Sequence, residues 1–397
     1  MRNLGGHLAA AIVGVIVGAV LVLGVDGLTH PAPPRTEGPI RPEAPPPPRP
    51  VPVTGRPEGI LLAWAPGGLP AGLEEAVRSI PGVGPATLVQ AGLDWIESSR
   101  RPDGTRVDSP PRGTGIPWEV AVVRPREYAR FVPPSEREAI LSLRPGEALL
   151  AETSAGLRGS GTGLEIKLVD RRVQVTGVVS DVAANGYEAL LGGAVPDSWE
   201  RVDEFLLVYN RNAKRARIER EIRARLAPGQ RLQVRVNDEQ PFLRYGDAVH
   251  PQMIVKKEFG EFAARPLADG RLDIDDKWEK ANIRSARVPL IGEITCHRAL
   301  FLQLRRALRR VAEAGLGHLV TSYAGCYSPR FIGRVPTGRI SHHAWGIALD
   351  INHAENPFGA EPNQSQRVVE LIEQWGFTWG GRWIIPDGMH FEWQAWP

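Results

Sequence analysis

The sequence predicts an α+β protein in which two folded units follow a membrane anchor. Three observations predict it. Strand and helix patterns alternate across residues 55–236, a second set of helices and aromatic-rich strands occupies 237–397, and an uncharged apolar run at 8–25 is separated from both by a proline-rich stretch. With 397 residues there is room for two cores and a membrane segment. Apolar residues at 42% and charged residues at 23% are the proportions of an ordinary globular protein. The formal charge of +3 is spread thinly, without a nucleic-acid motif or a concentrated basic run. Nucleic acid is therefore not an expected partner, whereas attraction to anionic polymers is permitted.

Residues 8–25 (LAAAIVGVIVGAVLVLGV) are preceded by Arg2 and followed by Asp26. A helix needs about 20 apolar residues to cross a bilayer, and a cleaved signal core is shorter, about 7–15. The run exceeds the shorter class, and Val25-Asp26-Gly27 is a poor cleavage site. Residues 1–28 therefore read as an uncleaved signal anchor, a single transmembrane helix that leaves the body outside the cytoplasm. Residues 29–54 are dominated by proline, which favours an extended, stiff spacer with no core of its own.

The 55–236 unit opens with a strand at Gly59–Trp64 and a helix carrying Leu73, Ala76, Val77 and Ile80, stopped by Pro81-Gly82. A strand follows at Trp118–Val123. Leu164, Ile166 and Leu168, then Val173 and Val175, alternate as paired strands. A strand at Glu204–Tyr209, a helix through Ile218, Ile222 and Leu226, and a strand at Leu232–Val236 close the unit. Two β-α-β halves around a small all-β insert predict a split, ferredoxin-like arrangement. Gly159-Ser160-Gly161-Thr162-Gly163 lacks the lysine and the strand–helix setting of a phosphate loop and reads as a loop between strands. On RSIPGV (78–83), LRPGEALLAETSAGL (143–157) and VQVTGVVSD (173–181), this region resembles the extracytoplasmic domain of ABC-transporter permeases. No second membrane span accompanies it, so a permease role does not follow; a protein partner for this unit is the expectation.

In the last unit, Phe301, Leu304, Leu308 and Val311 line one helix face, Arg305, Arg306, Arg309 and Arg310 the other, and Gly315 stops the helix. A strand is expected at Leu319–Ser322, then a loop through Cys326 and Arg330. A second helix carries Val368, Leu371, Ile372 and Trp375, and aromatic strands are expected at Phe377–Trp383 and Met389–Trp393. Helices on a small antiparallel sheet are the predicted architecture.

The chemistry concentrates in SHHAWGIALD (341–350) and DGMH (387–390). Catalytic zinc takes three protein ligands, nitrogen or oxygen, and keeps one position open. His343, Asp350 and His390 supply such a set and leave Asp387 over as a base. Asp350 is too far along the chain to share a helical face with His343, so a loop-to-strand path must join them. Gly346 and Ala348 are small, which lets the backbone pass close to a metal, and a turn between Asp387 and His390 can aim both at one point. Other divalent ions also suit a His₂–carboxylate set. Trp345, Trp379 and Trp383 either line a groove or pack in the core, with packing expected for at least two. His297, His342 and His353 have no assigned partner.

On CYSPRFIGR (326–334), SHHAWGIALDIN (341–352), WGFTWGGRW (375–383) and DGMHFEW (387–393), the segment from about Pro251 resembles the zinc D-Ala-D-Ala carboxypeptidase family, which includes L-Ala-D-Glu endopeptidases. The resemblance implies zinc held by His343, Asp350 and His390, a general base at Asp387, and a substrate-anchoring Arg330. It further implies peptidoglycan stem peptides as substrates. The rival expectation is a non-catalytic interaction protein that uses this fold to hold a ligand; a degraded relative should have lost a ligand or the base, and none is missing. The two cysteines, Cys296 and Cys326, lie outside the cytoplasm on this reading and are expected to pair.

Overall fold

Ile60-Leu61-Leu62-Ala63-Trp64 has no polar residue, and a strand that is apolar on both sides must be covered on both. It forms strand β1 (Ile60–Trp64), buried throughout. The computed structural model describes residues 59–397 except 200, 201, 212, 237–241, 245, 247–249 and 337. The anchor expected at 1–28 and the spacer expected at 29–54 lie outside these residues. Among the described residues no helix is long and apolar enough to cross a membrane.

β1 sits near one end of a nine-stranded sheet with β2 (Val83–Arg100), β3 (Ile116–Val123), β4 (Glu147–Ala151), β5 (Glu165–Leu168), β6 (Arg172–Val179), β7 (Ala189–Gly192), β8 (Asp203–Asn210) and β9 (Gln233–Val236). The order is β3-β7-β4-β6-β5-β2-β8-β1-β9, with β3 also paired to β2. The four strands β2-β8-β1-β9 reproduce the split β-α-β plan. β1 and β2 flank β8, β8 and β9 flank β1, and the crossover helices Leu73–Arg78 and Arg215–Arg223 lie on one face. Leu61 and Ala63 meet those helices, while Ile60, Leu62 and Trp64 enter the core on the opposite face.

Three expectations for this region need correction. The insert is not a small all-β piece: β3 to β7 join the same sheet and carry the helices Pro125–Tyr128, Arg137–Ser142 and Glu152–Arg158. The glycine loop at 159–163 follows the last of these helices rather than a strand, with Gly159 capping it at φ 53°. The 18-residue β2, unread in the sequence, pairs successively with β8, β3 and β5. Gly92 breaks its pattern for a reason: a Cβ there would lie 2.6 Å from the Trp199 ring.

The last part of the chain forms the hairpins β10 (Ala264–Pro266)–β11 (Leu272–Ile274) and β12 (Ile283–Val288)–β13 (Gly292–His297). A four-stranded antiparallel sheet follows, ordered β14 (Tyr323–Gly325), β15 (Ala348–Ile351), β17 (His390–Trp393), β16 (Phe377–Trp379). Helices Phe301–Glu313 and Gln366–Glu373 bury the apolar positions read from their spacing in one core with this sheet. The strand expected at Leu319–Ser322 is instead a 3-10 turn at Gly317–Leu319, because Asn352 Oδ1 takes the Thr321 N–H at 2.8 Å. The strand expected to reach Trp383 ends at Trp379 in a second such turn, Gly380–Arg382.

Helix Gln252–Phe259 joins the two sheets. Met253 enters a core of the first sheet, and Val255 and Phe259 enter the core of the second. Its polar face is also buried: Lys256 Nζ lies 2.8 Å from both Glu188 and Glu261, and Gln252 Nε2 donates to Glu188 at 2.8 Å. Ile384, from the loop before Asp387, packs against the first sheet's core, and the Arg231 guanidinium donates to its carbonyl. Trp95 of β2 meets Phe331 edge-on at 6.4 Å, one residue past Arg330.

Candidate metal centre

Strand period places alternate residues on one face, and pairing decides which meet across strands. β15 and β17 pair so that Asp350 stands opposite His390 and Ala348 opposite Glu392. Asp350, His390 and Glu392 therefore share a face. His343 arrives from the 3-10 turn His342–Trp345, which Ser341 caps by accepting the His343 N–H. Gly346 then reverses the chain into β15 at φ 67°. Its lack of a side chain serves this turn's approach to β13, not a metal: a Cβ would lie 2.7 Å from the His297 nitrogen. Ala348, the other small residue singled out in the sequence, is paired with Glu392 on β17.

The three predicted ligands come together and are buried. His343 Nε2 lies 3.2 Å from Asp350 Oδ2 and 3.2 Å from His390 Nδ1, and His390 Nδ1 lies 3.1 Å from Asp350 Oδ1. Ligand atoms about 2.0–2.1 Å from a tetrahedral ion stand about 3.3 Å apart; the two imidazole nitrogens have that spacing, and each has one oxygen of Asp350 at a similar distance. The His343 Nδ1 proton goes to the Cys326 carbonyl at 2.8 Å, leaving Nε2 with its lone pair toward the centre. Burial pushes the His343 pKa down, which favours the neutral ring a metal needs. Burial would also lower His390, but its bonds to Asp350 and Glu392 raise it to about 10. Burial opposes ionisation of Asp350 too, yet both imidazoles hold its carboxyl well below the usual range. The centre thus calls for positive charge, and a divalent cation suits the donor set.

Asp387 lies beside the triangle at the head of a turn in which the His390 N–H donates to its carbonyl at 3.1 Å. Its Oδ1 is buried without a hydrogen-bond partner. Burial, reinforced by the charges of Asp350 and Glu392, raises its pKa to about 6, against the pull of His390 and Arg330. Arg330 reaches the same centre: Nη1 donates to Ser341 Oγ at 3.1 Å, and Nη2 is 3.9 Å from Asp350 Oδ2.

Sequence reasoning missed what surrounds the ligands. His342, left without a partner there, is buried with Nδ1 2.8 Å from Glu392 Oε2, too oblique for a good hydrogen bond. His297 is also satisfied: Nε2 bonds the Phe259 carbonyl at 3.2 Å and Nδ1 accepts from the Ala299 N–H at 3.2 Å. A histidine two residues from a glutamate in one strand was the available signal for Glu392; nothing local announced the Cys326 carbonyl. Trp345 and Trp379 are core residues, as expected, while the Trp383 ring sits 5.1 Å from that of His390. Cys296 and Cys326 form a disulfide.

Residues 335–393 match the family model described as D-alanyl-D-alanine carboxypeptidase, a span that includes His343, Asp350, Asp387 and His390 and excludes Arg330. No curated protein sequence matches the chain. Among solved structures, the chain is similar to a domain described as a permease protein from Porphyromonas gingivalis, at 15% identity over 48% of this chain and 94% of that one, with a TM-score of 0.30. It is also similar to the periplasmic region of MacB from Actinobacillus actinomycetemcomitans, at 9% identity over 47% and 92%, with a TM-score of 0.29.

Proposed function

We propose that this protein is a zinc metallopeptidase that hydrolyses peptide bonds in peptidoglycan stem peptides, as a D-Ala-D-Ala carboxypeptidase or a related endopeptidase. The observation that carries the reading is the buried triangle of His343, Asp350 and His390 with the unpartnered Asp387 oxygen beside it. His343 Nε2, His390 Nδ1 and an Asp350 oxygen would hold the ion. When bound, zinc would supply Lewis acidity toward the scissile carbonyl and acidify the attacking water. Asp387 takes that water's proton on Oδ1; a pKa raised toward neutrality suits a group that must accept a proton and then release it to the leaving amine. Arg330 anchors a substrate carboxylate, which its planar fork can grip at two points.

A protein that merely holds a ligand has no use for a carboxylate kept unpartnered and reluctant to ionise, so this centre favours catalysis over the ligand-module alternative. The N-terminal helix would fix the enzyme to the outer face of the cell membrane, the proline spacer would lift it toward the wall, and the first sheet would meet a protein partner. Digestion of purified muropeptides by the full chain, read by mass spectrometry, is the test. Release of terminal D-alanine identifies the carboxypeptidase and an internal cut the endopeptidase. Intact muropeptides with stoichiometric zinc would leave the ligand module.

A further inference from the structure

Resting on the metal reading above, we propose that Glu392 is the positioning residue of this centre: it fixes the His390 ring so that Nδ1, not Nε2, faces the ion. A histidine can meet a metal through either nitrogen, and the partner of the other one decides which. His390 Nε2 lies 3.3 Å from Glu392 Oε2, whereas its Nδ1 points into the triangle of ligand atoms. Both side chains leave the same face of β17, two residues apart, so the strand's own period sets the pair.

Glu392 is only 2% exposed. A buried carboxylate is retained where opposite charge or donors repay its desolvation. His342, itself buried, stands 2.8 Å from the same Glu392 oxygen. Ala348 is the residue paired with Glu392 across the two strands. The arrangement runs inward from His342 through Glu392 to His390, and its role is to orient a ligand rather than to touch substrate.

The test uses the full chain, stripped of metal and reloaded. Zinc affinity is measured by competition with a chromophoric chelator, and the site's geometry by the visible spectrum of the cobalt-substituted protein. Glu392→Gln is expected to weaken zinc binding about 10–100-fold and to shift the cobalt bands. Glu392→Asp, which keeps the charge, should recover part of both. A folded Glu392→Gln protein with unchanged affinity and unchanged cobalt spectrum overturns the proposal. Should that variant fail to fold, the wild-type protein decides: ¹⁵N NMR of the zinc-loaded form must find the His390 proton on Nε2, and a proton on Nδ1 refutes the assignment. Wild-type protein that binds no zinc would overturn the metal reading itself, whereas equal binding by a folded variant removes only the role of Glu392.

Discussion

Both sheets of this protein bury charge, and they do so in opposite ways. Around the joint with the first sheet, Lys256 pairs with Glu188 and Glu261, Arg158 with Asp108 and Glu261, and Arg244 with Glu119. Beside the four-stranded sheet, Asp350, Glu392 and Asp387 share a centre that Arg330 reaches, 3.9 Å from Asp350. The first arrangement is complete and serves as architecture. The second gathers carboxylates and imidazole nitrogens around one point, and that donor set suits a divalent ion.

The comparison can be broken most sharply at Asp387. Asp387→Ala should retain zinc and lose about 10²–10⁴-fold in turnover, because a general base contributes that much. Metal analysis beside muropeptide kinetics checks it; loss of zinc would make Asp387 a ligand, and full activity would move the base elsewhere.

At the joint, removing one member of a complete set should cost stability outright. Glu188→Ala strips a buried ammonium of its main partner and should destabilise by about 3–5 kcal/mol, read by denaturant titration. A loss of under 1 kcal/mol would show that water reaches Lys256, contrary to its burial.

Reducing the Cys296–Cys326 disulfide, which closes a separation of 30 residues, should cost about 3–4 kcal/mol by the chain-entropy argument. Because the Cys326 carbonyl orients His343, the reduced protein should also bind zinc more weakly. The first sheet contains no cysteine and should keep its hydrogen-exchange protection under the same treatment.

The smallest effect has the opposite sign. In metal-free protein at pH 7, Asp387→Asn should stabilise by about 2 kcal/mol, since burial disfavours the native carboxylate. Its pKa is raised on folding to about 6, so the penalty is full above pH 6 and disappears as pH falls toward the unfolded value near 4. The advantage of the variant should close over that interval. An advantage that persists at pH 4 would trace to packing instead of charge.

The grouping of His343, Asp350 and His390 was legible because their chemistry lies in residue type and spacing, and the structure brings these three side chains together. Their supports were not, because those depend on pairing register and loop course. Glu392 joins His390 only when β17 is regular, and Cys326 presents its carbonyl only through the path of the preceding loop. The split β-α-β plan was legible from apolar spacing, which the crossover helices preserve. β2 was not: with both faces covered and Gly84, Gly92 and a buried Asp94 along it, it shows neither alternation nor a continuous apolar run.

Helix Gln252–Phe259 has a consequence for ancestry. A recombination event that joined the metal-binding sheet to a different neighbour near this helix would carry Lys256 away from Glu188 and leave Glu261 as its remaining carboxylate. Separation of the two sheets would therefore select for a change at this lysine or for a new carboxylate beside it. Related metal-binding domains fused to other neighbours should carry an apolar or small residue at the position of Lys256, and those that keep the lysine should keep a carboxylate where Glu188 stands.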